Sequence, residues 1–195
     1  MSNFNDNFSD ATPPDTDRIS LGIVLLNDNG DVLVVQRAQD EELWQMPEFP
    51  IEKETDIHVA AQNAVSFLCP SAKAMIVEEA DDWFEETIPD YIAKKEGLTG
   101  SSTGQQKWFA LKLISAVEKF DLSNDQTYAQ WKWTKLSDIP SLVAPYKRVT
   151  YKTLSELFKQ HSEQSASQNL KEDFKSEISS LADAVPQNTR QKEKN

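Results

Sequence analysis

Carboxylates gather at two places in the sequence, and carboxylate is the side chain that could hold a divalent cation. The first group comprises Glu48, Glu52, Glu54 and Asp56. The second group has helical spacing and comprises Asp81, Asp82, Glu85 and Glu86. Mg²⁺ requires oxygens that converge at about 2.1 Å, and dispersed side chains in a loop do not supply them. We therefore interpret the first group as a solvated acidic loop and the second as a solvated face.

The residues that could act as a base or a nucleophile are few. The two histidines, His58 and His161, lie far apart in the sequence and are interpreted as isolated surface residues. Cys69 is the single cysteine, so it cannot form an internal disulfide or supply a metal cluster. No catalytic residue is assigned from these residue types.

Composition limits the classes of partner. The net charge of −12 opposes non-specific binding to nucleic acid. No apolar run approaches the ~18 residues that span a bilayer, so no membrane partner is expected. The first 17 residues are acidic and lack the basic and apolar regions of a targeting signal. We expect a cytoplasmic protein.

The elements that must position these side chains begin with a hairpin. Two apolar runs, 21–26 and 31–37, flank the turn sequence Asn27-Asp28-Asn29-Gly30, which is a strong hairpin signal. Residues 43–51 predict a short strand that enters a proline-rich loop. Thr55 or Asp56 can cap a helix that runs to about Leu68 and is ended by Pro70.

The second half of the domain predicts more strands and a final helix. The strands are predicted at 72–79, 107–115 and 128–134. Between the first two lies a long acidic excursion, 80–105, which is expected to be flexible over 97–104. A loop is predicted at 140–145. A helix is predicted at 147–160, with an inner face formed by Val149, Leu154 and Leu157.

The predicted organisation is one domain with two tails. Residues 1–16 are predicted to form a disordered acidic leader, and 17–160 to form the globular domain. Residues 161–195 are predicted to be a polar, largely disordered tail. Within it, 167–185 can form a marginal helix with apolar residues at Leu170, Phe174, Ile178 and Leu181.

Several stretches, in order, resemble Nudix hydrolases, and in particular bacterial RNA pyrophosphohydrolases or dinucleoside polyphosphate hydrolases. The stretch LGIVLLNDNGDVLVVQR resembles their opening hairpin, and WQMPE at Trp44–Glu48 resembles their W-Q-F-P-Q. GQQKWFALKLIS, QWKW and PYKRVTYKTL then follow with similar spacing. The resemblance implies an α+β fold, an α/β/α sandwich in which a mixed β-sheet is flanked by helices.

The motif that gives this family its chemistry is degenerate in the sequence. The Nudix box, G-x5-E-x7-R-E-U-x-E-E-x-G-U, where U is a bulky aliphatic residue, places carboxylates on one helix face, where they hold Mg²⁺. Its glycines align with Phe49, Pro50, Glu54 and Pro70. Its glutamate, its Arg-Glu pair and its Glu-Glu pair align with Thr55, Asn63, Ala64, Phe67 and Leu68. A further acidic position outside the box aligns with Thr127.

These replacements predict a helix face that packs instead of coordinating a metal. Ala64, Phe67 and Leu68 form an apolar stripe where the resemblance places metal-binding carboxylates. We therefore expect no Mg²⁺ cofactor, no metal ligands and no catalytic residues.

Basic residues are what the resemblance retains. It implies that Arg18, Arg37, Lys107 and Lys147 bind substrate or phosphate. In the resemblance, the two arginines contact phosphate, Lys147 lies near a nucleotide base, and Lys107 occupies the matching K-W-F stretch. Guanidinium groups suit bidentate phosphate contacts. Arg37 could instead pair with Asp40, Glu41 or Glu42. If the basic residues are functional, Arg18, Arg37 and Lys147 should converge on one cleft that favours a compact polyphosphate.

Three functions remain open from the sequence. The first is a catalytically inactive Nudix-fold protein that binds a nucleotide, an RNA 5′ end or a protein partner. The second is an active Mg²⁺-dependent RNA pyrophosphohydrolase or dinucleoside polyphosphate hydrolase with a rearranged metal site. The third is a protein-interaction scaffold. The absent carboxylates favour the first.

Overall fold

The computed structural model describes residues 18–38, 43–95, 103–115, 120 and 128–183. The strands are β1 Ile19–Leu26, β2 Val32–Arg37, β3 Trp44–Gln45, β4 Glu48–Ile51, β5 Ala74–Glu79, β6 Phe84–Thr87, β7 Thr103–Leu113 and β8 Tyr128–Thr134. The helices are α1 Ile57–Leu68, α2 Asp90–Lys95, α3 Ile139–Leu142, α4 Arg148–Leu157 and α5 Lys159–Asp183. Single 3-10 turns occupy Leu136–Asp138 and Pro145–Lys147. The predicted leader, 1–16, lies outside the described residues.

The eight strands form one mixed sheet with β1 at its centre. Its main order is β3-β2-β1-β7-β5, while β4 pairs with β1, β6 with β7, and β8 with β2. β1 and β7 are parallel, in register from Ile19 opposite Gln105 to Leu26 opposite Lys112. Strands that are covered on both faces have continuous apolar runs, which explains the sequence of β1 and β2.

Helices cover both faces of the sheet. On one face, Leu21, Ile23 and Leu25 of β1 pack in a core with the buried side of α1. On the other face, Val24 and Leu26 pack in a core that includes buried residues of α3 and α4. The predicted α/β/α sandwich is therefore confirmed. In the described part of the chain, no helix has the length and apolarity to span a bilayer.

The predicted hairpin is present, and its turn also holds the last helix. The Asn27 carboxamide oxygen accepts from the backbone N–H groups of Asn29 and Asp31, both at 2.9 Å. Gly30 has a φ of 73°, which favours glycine. The Ser162 hydroxyl of α5 donates to the Gly30 carbonyl at 2.6 Å. A Cβ at Gly30 would lie 2.0 Å from the Ser162 carbonyl oxygen, so glycine lets α5 approach the turn.

The C-terminal segment is more helical than the sequence predicts. The chain is helical from Lys159 to Asp183, where a largely disordered tail was predicted from residue 161. Tertiary contacts account for its beginning: besides Ser162, Asn169 donates to Asn29 at 2.7 Å and Lys112 donates to Gln168 at 3.3 Å. Residues 184–195 lie outside the described part of the chain.

The predicted inner face of α4 was wrong in two of its three residues. Leu154 is buried, but Val149 is 77% exposed and Leu157 is also exposed. Tyr151, Leu154 and Phe158 form the buried face instead, at the spacing i, i+3, i+7. Tyr151 packs inward because its ring meets the buried ring of Trp108 edge to face, at a centroid distance of 5.6 Å.

Two segments predicted as loops contain regular structure. The excursion 80–105 includes β6, α2 and the first residues of β7, so Gly104 lies in a strand. The predicted loop 140–145 begins inside α3. In the first case, pairing of β6 with β7, from Phe84 opposite Gln106 to Thr87 opposite Thr103, supplies backbone hydrogen bonds that local sequence does not reveal.

Gly22 marks a place where the sheet core tolerates no side chain. A Cβ there would lie 2.3–2.4 Å from the ring atoms of Trp108, its cross-strand neighbour on β7. Gly22→Ala should therefore lower the free energy of unfolding by about 1–3 kcal/mol through overpacking. Urea unfolding measures this. In a Trp108→Leu background the same substitution should cost less, and an equal cost in both backgrounds would contradict the contact.

Candidate functional site

Three of the four basic residues singled out from the sequence line one cleft. Arg18, Arg37 and Lys147 surround a space of about 310 Å³ at the ends of β1, β4 and β6. The same cleft is lined by Glu48, Glu86, Gln45, Tyr128 and Tyr146. The elements that bring them together are distant in the sequence, so the cleft is a product of the tertiary fold.

The Lys147 ammonium group is at the centre of the charged part of this cleft. Its Nζ lies 2.7 and 2.6 Å from the two carboxylate oxygens of Glu48 and 2.7 Å from Oε1 of Glu86. The side chain is only 6% exposed. Burial would lower its pKa, but Glu48 and Glu86 outweigh burial and raise the pKa above the ordinary lysine value. Lys147 therefore stays charged.

Arg18 shares the second of these carboxylates. Its Nη2 donates to Oε2 and to the main-chain carbonyl of Glu86, both at 3.1 Å. Burial would raise the pKa of Glu86, but Lys147 and Arg18 together lower it, so this carboxylate is ionised at neutral pH. A Cβ at Gly104 would lie 2.5 Å from Nε of Arg18, so glycine at this position makes room for the guanidinium group.

Hydrogen bonds fix Glu48 in place. Its carboxylate accepts from the Tyr151 hydroxyl at 2.8 Å and from the Gln106 amide at 3.1 Å. The Tyr128 hydroxyl donates to the Glu48 carbonyl at 3.0 Å and accepts from its N–H at 3.2 Å. Burial raises the pKa of Tyr128 to about 12, so its hydroxyl is a neutral donor at physiological pH.

The interpretation of Glu48 and Glu86 as solvated residues was wrong. Glu86 is only 11% exposed, whereas its neighbour Glu85 is exposed, because successive residues of β6 point to opposite faces. Their cationic partners are remote: Lys147 is 99 residues from Glu48, and Arg18 is 68 residues from Glu86. Strand alternation, applied in place of helical spacing, was the signal that could have separated Glu86 from Glu85.

The face of α1 that corresponds to the Nudix box packs in the core. Ala64 and Leu68 are each 1% exposed and belong to the same core as Leu21 and Ile23. Phe67 departs from the prediction: it is 74% exposed and meets the ring of Phe49 at a centroid distance of 6.0 Å. The apolar stripe is therefore reduced to two buried residues.

The remaining box positions also have structural surroundings. Phe49 and Pro50 lie in β4 and pair with Leu21 and Ser20 of β1, so a strand replaces the glycine-rich loop. Asp56 caps α1 by accepting from the N–H groups of His58 and Val59 at 3.1 Å. The exposed positions are Glu54, Asn63 and Pro70, and Thr55 is half-buried. Thr127 lies outside the described residues.

These residues do not fit Mg²⁺. Within the described ranges, no group of three His, Cys, Asp or Glu residues could hold a metal ion. Glu48 and Glu86 do converge, but the ammonium group of Lys147 bridges them. Asp56 is used as a helix cap. The donor set is therefore that of an internal ion-pair network.

Lys107 does not belong to the cleft, contrary to what the resemblance implies. Its fully buried ammonium group lies 2.9 Å from Glu79 and donates to the Asp81 carbonyl at 3.0 Å. The histidines are not isolated either, since His58 contacts Glu79 and His161 contacts Glu78, each at 2.8 Å. These contacts of Lys107, His58 and His161 are ion pairs or hydrogen bonds that lie outside the cleft.

A smaller pocket, which was not predicted from the sequence, adjoins the cleft. It shares Arg37, Gln45, Tyr146 and Lys147 with the cleft and adds Trp44, Tyr91, Ile92 and Lys95. Three of these added residues, Tyr91, Ile92 and Lys95, belong to α2, a helix that the prediction of a flexible excursion missed. Arg37 therefore faces both a charged space and an aromatic one. Asp40, Glu41 and Glu42, its predicted partners, lie outside the described residues.

Comparison with known proteins agrees with this fold. No family model matches the chain. RNA pyrophosphohydrolase from Afipia carboxidovorans is 30% identical over 152 residues, covering 72% of this chain and 91% of the relative. RNA pyrophosphohydrolase from Bradyrhizobium sp. is 29% identical over 154 residues, with the same coverage. The structure of the E. coli dihydroneopterin triphosphate pyrophosphohydrolase matches with a TM-score of 0.51 and 17% identity, over 69% of this chain and 92% of that one.

The packing of α1 leads to a test of its lost carboxylates. Ala64→Glu would place an unpaired carboxylate in the core, so we expect it to lower the free energy of unfolding by about 3 kcal/mol or more. Asn63→Glu, at the neighbouring exposed position, is the matched control and should change it little. Thermal or urea unfolding of both variants measures the difference. Equal midpoints for the two variants would show that the face of Ala64 is open to solvent.

Proposed function

The chain belongs to the Nudix family, and from that premise we propose that it binds a 5′-phosphorylated nucleotide or RNA end without hydrolysing it. The single observation that carries this proposal is the burial of Ala64 and Leu68 on α1, where the family pattern has metal-binding carboxylates. A helix face that packs in a hydrophobic core cannot hold the Mg²⁺ ions that activate water and neutralise a pyrophosphate.

The ligand class is supported by the cleft and by the relatives. The relatives are named RNA pyrophosphohydrolases, so a phosphorylated RNA end is the ligand that this name suggests. In this chain, Arg18, Arg37 and Lys147 still line one cleft, as expected if it binds phosphate. The adjoining pocket offers Trp44, Tyr91 and other apolar surface that suits a nucleoside. A cytoplasmic location remains a prediction from the sequence.

A hydrolysis assay tests the proposed absence of catalytic activity. With 5′-triphosphorylated RNA and either Mg²⁺ or Mn²⁺, the protein should release no phosphate or pyrophosphate above the blank, because metal and base groups act as a unit and their joint loss is severe. The Afipia carboxidovorans relative serves as the positive control. Metal-dependent turnover that is abolished by Glu52→Gln or Asp56→Asn would instead support an active enzyme whose metal site has moved to the loop.

A binding assay tests whether the basic residues of the cleft contact a phosphate. Arg37→Ala should weaken the binding of a phosphorylated nucleotide by about 1.5–3 kcal/mol, the range for a hydrogen bond to a charged group. Lys152→Ala removes the same charge from an exposed position on α4 and should leave the affinity unchanged. Titration calorimetry measures both. If no phosphorylated ligand binds the unmodified protein at millimolar concentration, the proposal is wrong.

The absence of phosphate binding would favour a second function, that of a protein-interaction scaffold. The specific observation in its favour is on α5, where Leu170 and Phe174 are 70% and 65% exposed and lie one turn apart on the same face. Apolar side chains repeated on one side of an exposed helix suit docking to a partner helix. Polar substitution of both residues would reduce such an interaction without changing the fold, which circular dichroism would verify.

A further inference from the structure

The two carboxylates in the cleft change what its cations can bind. Among the described residues, five charged side chains line the cleft: three cations (Arg18, Arg37 and Lys147) and two carboxylates (Glu48 and Glu86). Both carboxylates contact Lys147, and Glu86 also contacts Arg18. The lining therefore carries one net positive charge, which is far less than a polyphosphate would need for neutralisation.

We propose that Glu86 makes the cleft selective for a single terminal phosphate, the 5′-monophosphate of a nucleotide or RNA, and against a 5′-triphosphate. The inference rests on the proposed function, since it names the ligand of the same cleft. It also revises the preference for a compact polyphosphate that the basic residues alone predicted, because that expectation did not include the two buried carboxylates.

The geometry explains why Glu86 would reject a longer phosphate chain. Its Oε1 and Oε2 lie 2.7 Å from Lys147 Nζ and 3.1 Å from Arg18 Nη2, so the carboxylate already occupies the space between the two cations. A phosphate that reached the same cations would lie within a few ångströms of this carboxylate. Like charges at about 4 Å repel strongly enough in a partly desolvated site to reduce affinity about tenfold or more.

The side chain of Glu86 is held in position, so it cannot readily make room for a ligand. Its side chain is largely buried, and strand pairing of β6 with β7 fixes its backbone. Arg37, in contrast, lines both the cleft and the adjoining pocket. A single phosphate bound at Arg37 leaves the network of Arg18, Glu86 and Lys147 intact. A triphosphate of the same nucleoside would extend its further charges toward that network.

The test compares Glu86→Gln with Glu85→Gln. Both substitutions remove one negative charge from β6, but Glu85 is exposed and lines neither pocket, which makes it the matched control. Glu86→Gln keeps a hydrogen-bonding side chain, and Lys147 keeps its contacts with Glu48. Glu86→Asp retains the charge and is a second control. If circular dichroism shows that Glu86→Gln does not fold, Glu86→Ala replaces it as the variant that lacks the charge.

The ligands are one short RNA sequence with a 5′-monophosphate, a 5′-triphosphate or a 5′-hydroxyl end, and the matching nucleoside monophosphate and triphosphate. For the unmodified protein at about 0.15 M salt, the monophosphate should bind about tenfold more tightly than the triphosphate. Glu86→Gln should raise the affinity for the triphosphate about tenfold or more, whereas Glu85→Gln and Glu86→Asp should retain the original preference. The RNA and nucleotide arms distinguish the two sources of the phosphate.

Two results separate failure of this inference from failure of the proposed function. If the unmodified protein prefers the triphosphate, or if Glu86→Gln and Glu85→Gln have the same ratio of affinities, the inference is overturned while phosphate binding stands. If no phosphorylated ligand binds, or if the 5′-hydroxyl RNA binds as tightly as the phosphorylated forms, the proposed function and the inference both fail.

Discussion

The ammonium group of Lys147 is buried between the carboxylates of Glu48 and Glu86, and the arrangement of the cleft depends on these ion pairs. Removing an ion from water costs several kcal/mol even after relaxation, so such a group is tolerated only when partners surround it. Glu48 is itself held by Tyr151 and Gln106. One buried cation thus connects β4, β6, β7 and the start of α4, which are remote in the sequence.

The same constraint decides what chemistry the cleft can perform. Two converging carboxylates would be the beginning of a metal site, but a lysine that stays charged satisfies them from inside the protein. On one face of the sheet, α1 contributes Ala64 and Leu68 to the hydrophobic core. Both features have packing or ion pairing where the family pattern has coordination, and they are the reason for proposing a cleft that binds a ligand without hydrolysing it.

The sequence predicted the parts of this fold that depend on local chemistry. The turn at Gly30, the Asp56 cap and the strands of the mixed sheet other than β6 follow from φ preference, capping and apolar periodicity. The site was predicted less well because its charges are paired across the fold. Glu86 looked solvated since nothing near it in sequence is its partner, and Lys107 looked available since Glu79 becomes adjacent only when β5 pairs with β7.

The charge of the whole chain adds a last constraint on any ligand that enters the cleft. The whole chain has a net charge of −12, whereas the described lining of the cleft carries one net positive charge, so we expect attraction for a phosphate to be confined to the cleft. A long RNA should gain little from phosphates beyond its end, because the chain as a whole is negative. Binding that involves one or two phosphates releases few counterions and depends only weakly on salt, unlike binding along a backbone. This balance of charge is therefore a further reason for proposing that the cleft binds the end of an RNA and not its strand.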